Sequence, residues 1–349
     1  MATESETQGS IPRDSGKGGP YRAGVRWVEN LGDAAFAYLL LLPVFLLLGV
    51  IAFWPLLRTF EMSLHADALR SAEAVGAFVG LQNYTELLTG QRRSNLIRPF
   101  IPSVAINGAF PFIHVRNPFT TALTATFIFT IVSVFFETII GFGQALVLDQ
   151  DFRGRRWVRV AIIIPWAVPI VIQGMIFFLM FQPNVGFLVG GPGNQTFLQQ
   201  LGVFSSTPLS TPRDSMLIVI VADIWKTSAF MALLILAGLQ SIDRSLYDVA
   251  KVSGASKWQQ FKMITLPLVF PTVMVAMLFR TIAALRIYGL IETVSTCNTV
   301  PSLSCLVVKS FGQRAYGTSA AVAFITAAII GVFVTVYIVN FARSDMGGV

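Results

Sequence analysis

Eight polar side chains lie in stretches that are otherwise apolar: Glu137, Gln144, Gln173, Asp223, Lys226, Arg280, Arg286 and Tyr288. At the centre of a bilayer an Asp, Lys or Arg costs roughly 2.5–3.5 kcal/mol. Such groups therefore face the interior of a bundle or an interface. Glu137 and Gln144 share one helix face at spacing seven, and Gln173 lies in the middle of its run. Asp223 and Lys226 are three apart and can pair on one face. As a set these groups suit the passage of a polar solute, with Tyr288 offering an aromatic face to a sugar ring. Local pairing and snorkelling to the interface is the other reading of the same residues.

Catalytic chemistry is not in the pattern. The Gly-rich run from Gly190 to Thr196 lacks the Gly-Lys-Ser/Thr ending of a phosphate loop, and no G-x-S-x-G or H-E-x-x-H occurs. His65 and His114 are far apart and the chain has only two Cys, so no metal site is expected. If ATP drives this chain, another chain must bind it. Cys297 and Cys305 flank a seven-residue segment and could form a disulfide or remain free thiols.

The elements that must position these groups are apolar helices. Of the 349 residues, 54% are hydrophobic and 12% charged, against about 25% charged in soluble domains. The net charge of +7 comes without a compact basic motif, which argues against nucleic acid. Six runs reach the roughly 20 residues a spanning helix needs: 34–57, 121–148, 158–181, 216–240, 268–291 and 318–342. The weaker stretch 97–115 contains Pro99, Pro102 and Pro111 and is expected to lie at the interface or outside. Pro165 and Pro169 predict a kink in the third span. Residues 1–33 are polar and expected to be a disordered tail. The first apolar run is too long for a signal peptide and is expected to stay as an anchor.

Short basic connections set the orientation. Residues 149–157 hold Arg153, Arg155 and Arg156, and 241–267 hold Arg244, Lys251, Lys257 and Lys262. These loops and both termini are expected in the cytoplasm. The 58–120 loop and the Cys297–Cys305 segment then lie outside, where disulfides form. Asn83-Tyr84-Thr85 and Asn194-Gln195-Thr196 are glycosylation-type triplets on that side, of a kind common by chance.

The insert 241–267 reads as two short helices. Leu246, Val249 and Ala250 form an apolar stripe, Gly254 suits a left-handed turn, and Ser256 with Gln259 has capping-box spacing. Trp258, Phe261 and Ile264 line the second helix, which Pro267 is expected to end. A helix–turn–helix with exposed apolar faces suits docking.

This stretch resembles the EAA loop of binding-protein-dependent ABC importer permeases, roughly E-A-A-x-x-D-G-A followed by I-x-L-P. Asp248, Val249 and Ala250 stand at E-A-A; Ser253, Gly254 and Ala255 at D-G-A; Ile264, Leu266 and Pro267 at I-x-L-P. Phe78–Tyr84, Phe119–Val134, Ile224–Ile242 and Tyr316–Ile325 are similar to the maltose, trehalose and glycerol-phosphate branch of that family. The residues near 90–117, which look like an external insertion, and the run from Ile287 to Cys305 depart from it.

The resemblance implies an all-α, polytopic helix bundle with the type I ABC importer permease fold. It implies a core domain at 121–342, a C-terminal tail at 343–349, and ATPase coupling through Asp248, Ala250, Gly254, Ala255, Trp258, Phe261, Leu266 and Pro267. Implied partners are a second homologous permease or a second copy, two ATPase subunits carrying ATP and Mg, and an extracellular binding protein delivering a sugar or similar solute. This chain itself is expected to bind no cofactor, and to sit in lipid in the cell membrane. The rival is an ion-coupled secondary transporter, which calls for an inverted repeat and midplane carboxylates in both halves. Glu137 and Asp223 are present, but no convincing repeat is.

Overall fold

The computed structural model describes residues 31–69, 75–91, 96–106, 113–115, 117–190 and 195–346. Most of the expected polar tail, Asn194, and the last three residues of the C-terminal tail lie outside them. The chain falls into two compact units, 1–59 and 60–349. The first contains most of helix α1, Asp33–Ser63, which is continuous through a π-helical turn at Gly49–Phe53.

In the second unit the long helices are α3 (Ala122–Asp149), α7 (Pro212–Gln240), α9 (Lys257–Leu285) and α12 (Tyr316–Met346). Shorter elements join them: α2 (Gln82–Thr89), α4 (Arg155–Ala167), α5 (Ile170–Phe181), α6 (Phe197–Gln200), α8 (Arg244–Val252), α10 (Gly289–Val294) and α11 (Leu303–Gly312). At 1.5 Å per residue, α7 and α9 are each about 43 Å long, enough to cross a bilayer core of about 30 Å. Including the α4–α5 pair, up to six spans are present. Among the described residues, those of 97–115 form no spanning helix. They contribute a small antiparallel ribbon, β1 (Val104–Ile106) with β2 (Ile113–Val115), in an otherwise helical bundle.

Span boundaries correct the sequence reading, the first of them at Ser63 rather than 57. The third span is not one kinked helix: α4 and α5 meet at 93°. Val168 at the break is extended, with ψ 127°. Pro169 removes the amide that would continue the ladder, and its ring disfavours a helical Val168. In the fifth span Pro267 does not end the second insert helix. A π-helical turn at Phe261–Thr265 intervenes, with the Leu266 N–H bonding to the Phe261 carbonyl. That wider turn shifts the register by one residue, so Pro267 enters at the start of the next α-helical segment, where a missing N–H is tolerated. The helix is therefore continuous from Lys257, and it ends at Leu285 rather than 291.

Helix α3 packs most extensively along α7, and glycines allow the close approach. A Cβ on Gly141 would lie 2.5 Å from Met231 Cβ. One on Gly238 of α7 would lie 2.7 Å from Thr272 Oγ1 of α9, and one on Gly174 of α5 would overlap Thr293 of α10. Small residues at crossings are the membrane solution to tight packing, since lipid supplies no hydrophobic drive between helices. Three apolar clusters fill the unit. One joins α3, α5, α7 and α10; one joins the opposite ends of α3 and α7 to α9; one joins α2, α3, α11 and α12.

Candidate functional site

Three of the eight polar candidates converge. Arg280 of α9 donates from Nε and Nη2 to the Glu137 carboxylate of α3, and from Nη2 to the Asp223 carboxylate of α7. All three are buried, and Glu137 is wholly shielded. Asp223 therefore pairs with Arg280, from 57 residues away, and not with Lys226 as its spacing suggested. Lys226 Nζ turns to the Val168 carbonyl at the break between α4 and α5, 2.7 Å away.

The amides also join helices. Gln173 Nε2 donates to the Ala222 carbonyl at 2.6 Å, tying α5 to α7. Gln144 Nε2 reaches Ser228 Oγ at 3.5 Å, and its buried Oε1 has no partner among the described residues. These contacts favour local pairing for Glu137, Asp223, Arg280 and Gln173.

Arg286 and Tyr288 are placed differently. Arg286 caps the C-terminus of α9, where a cation complements the helix dipole. It is exposed and lines a cavity of about 500 Å³ with Ile282, Ser304, Val308, Thr326 and Ile330. Tyr288 is half-buried and packs on the core cluster beside α10.

The insert is built as its sequence implied in its turn and cap. Asp243 caps α8 by accepting from the Ser245 N–H at 2.9 Å, and that bond holds its carboxyl below the usual range. Gly254 has φ +80°, a conformation that disfavours any residue with a Cβ. The reciprocal Ser256–Gln259 capping box is present. Arg244 donates to Asp149 at 2.7 Å and Tyr247 Oη meets Thr265 Oγ1 at 2.9 Å, which fix α8 to the bundle.

The apolar face of α8 is turned away from the protein, as expected of a docking element: Leu246 and Val249 of the stripe are exposed, and so is the neighbouring Val252, to 91%. Trp258 stacks on Phe261 with ring centroids 5.4 Å apart but remains 70% exposed, so it does not pack the second helix into the core. Phe261 is half-buried against Phe142. Asp248 is exposed and holds Lys251 at 3.0 Å. Ala250 and Ala255 are half-buried in the turn, and Leu266 is exposed just before Pro267.

At the other end of the bundle Cys297 and Cys305 are bonded, with Cα atoms 5.6 Å apart. Beside them Glu292 accepts from the Cys297 N–H and from Lys309 Nζ, which raises the lysine above its ordinary value. Sequence reasoning missed this clasp, because Glu292 and Lys309 are seventeen residues apart with no shared periodicity. Asn83, read from sequence as the start of a glycosylation-type triplet, is instead buried and donates to the Ser63 and His65 carbonyls. Among the described residues no cluster of three metal-ligating side chains occurs.

A bundle of apolar spans with polar contacts inside, and an amphipathic pair of helices presented at one end, describes a multi-pass membrane protein with a docking surface. Residues 137–344 match the family described as the binding-protein-dependent transport system inner membrane component. The chain is 34% identical over 309 residues to the trehalose/maltose transport system permease protein MalF of Thermococcus litoralis, covering 88% of this chain and 93% of the relative. It is 33% identical over 265 residues to the sulfoquinovosyl glycerol transport system permease protein SmoG of Agrobacterium fabrum, covering 76% and 75%. Its fold is similar to that of a bacterial ABC transporter importing alginate, with TM-score 0.68, 21% identity, and coverage of 91% and 99%. The chain belongs to the binding-protein-dependent transport system inner membrane components: it is a permease subunit of an ABC importer, a transport component and not an enzyme.

Proposed function

We propose that this permease passes a sugar or sugar-like solute inward, received from an extracellular binding protein and driven by separate ATPase subunits. The relatives named for trehalose, maltose and sulfoquinovosyl glycerol transport support the solute class. ATP and Mg sit on two partner ATPases, and a second permease, homologous or identical, completes the path. Both termini and the 241–267 insert face the cytoplasm. The basic 149–157 and 241–267 loops support that orientation, as does the Cys297–Cys305 bond at the opposite end.

The observation that carries the reading is the insert's exposed apolar face. Leu246, Val249, Val252 and Trp258 project from a helix pair that is otherwise capped and anchored. Apolar side chains this exposed in water mark a docking surface. On this surface Gly254 sets the turn, Ala250 and Ala255 keep it compact, and Asp248 presents charge. Trp258 and Phe261 supply the aromatic contact, and Leu266 with Pro267 relay the load into α9. Closure of the ATPase dimer then moves α9 through its π-helical turn. Arg286 and Tyr288 are the pathway candidates, since the groups of the buried triad satisfy one another.

Reconstitution tests this. The permease pair, ATPases and binding protein in proteoliposomes should take up labelled trehalose or maltose only with hydrolysable ATP inside. Uptake by this chain without ATPases, driven by an ion gradient, would refute it.

A further inference from the structure

The break in the third span leaves a carbonyl without a helix. Val168 caps α4 in an extended conformation, and Pro169 precedes α5, so the Val168 oxygen belongs to neither ladder. In lipid a freed carbonyl needs a donor from a neighbouring helix or from water. Lys226 Nζ of α7 supplies it at 2.7 Å.

Lys226 also stands close to the buried network. Glu137 and Asp223 bring two carboxylates against the single guanidinium of Arg280. Lys226 lies three residues beyond Asp223 on α7, near the same face. No carboxylate lies within 4 Å of the Lys226 Nζ among the described residues, so its contact is the carbonyl at the break.

Both halves of the broken span are tied to α7 at different points along it, and α5 is tied to α10 as well. Helix α5 is pinned by Gln173 to α7 and by the Gly174–Thr293 contact to α10, near the disulfide. Helix α4 stacks Trp166 on Phe230 of α7 and leads from the loop where Arg155 binds Asp151, at the end that carries the insert. Residues 167–170 are the joint between these attachments.

We infer that Lys226 is a positioning residue for transport: by holding the Val168 carbonyl it registers the break in the third span against the Glu137–Arg280–Asp223 network, and the break changes shape only as this lysine lets go. Releasing the carbonyl separates a half-buried oxygen from its donor, so the resting shape is favoured until ATPase closure supplies the work. The inference rests on the chain being an importer permease and not on which solute it carries.

Water access at the break reads this directly. A thiol reacts as its thiolate, which an apolar site suppresses. Val171→Cys reports from the first turn of α5, and the native cysteines are bonded to each other and silent. Labelling with N-ethylmaleimide is measured on the fully reconstituted importer, with and without ATP. With Lys226 present, labelling is slow at rest and at least about tenfold faster during turnover. In Lys226→Met the resting rate rises about tenfold and no longer responds to ATP, and uptake per ATP hydrolysed falls. Lys226→Arg restores the ATP response. A purely structural lysine would lower the yield of assembled complex without removing that response. If Lys226→Met does not assemble, Lys226→Arg carries the test. Resting labelling as slow as with lysine, together with an ATP response, supports the inference, and its absence in an assembled arginine variant overturns it. An ATP response that survives in Lys226→Met also overturns it, even if solute specificity proves different from that proposed above.

Discussion

Replacing Arg280 by methionine should be the most damaging single change in the bundle. The substitution preserves length and apolar volume but leaves Glu137 and Asp223 facing each other, both buried. Removing one partner of a buried ion pair costs about 3–5 kcal/mol, because a charge is left uncompensated in a medium that solvates it poorly. Both carboxyl groups lose their donor here, so the upper end applies. At about 2–3 °C per kcal/mol for a protein of this size, the melting temperature should fall by about 10–15 °C. The assay is thermal unfolding of the purified complex in nanodiscs, followed by intrinsic fluorescence. The triple change Arg280→Met, Glu137→Gln, Asp223→Asn removes all three charges together and should recover at least half of the loss, since neutral replacement of a buried network is often tolerated. Melting of Arg280→Met within about 2 °C of the native complex would refute the reasoning. So would a triple variant no more stable than the single one.

Two further outcomes follow from packing and covalent geometry. Gly141→Ala should destabilise by about 1–3 kcal/mol, because its Cβ would meet Met231 at 2.5 Å. Gly143→Ala, two residues on with nothing within 4 Å, should stabilise the same helix by up to about 1 kcal/mol; thermal unfolding of both variants gives opposite signs. Cys297→Ser opens a loop with eight residues of separation and should cost about 2–3 kcal/mol, read as a lower melting temperature that reductant no longer changes.

The spans were legible because apolar runs of about 20 residues have few other fates. The insert's turn and cap were legible because they are local: Ser256 and Gln259 act across three residues, and Gly254 acts alone. What stayed hidden is long-range. Asp223 had a visible neighbour in Lys226, yet its partner is Arg280, and Glu137 is 143 residues from the same guanidinium. No spacing rule carries such pairs. Prolines misled in both directions. Pro165 and Pro169 suggested a kink where the chain breaks by 93°, and Pro267 suggested a stop where a π-helical turn lets the helix run on. At the break Lys226 supplies the lost bond to Val168, whereas at Pro267 a π-helical turn of the same helix absorbs the missing N–H.

The central claim is that the 241–267 insert receives the work of ATP hydrolysis. Gly254→Asp tests it with little damage elsewhere, since nothing lies within 4 Å of the position and the penalty is local backbone strain of about 1–2 kcal/mol. The measurement is ATP-driven uptake and ATPase retention in the reconstituted importer. Normal membrane insertion with uptake reduced at least about tenfold and weakened ATPase retention is the predicted result. Native uptake with the ATPases still bound would contradict the account.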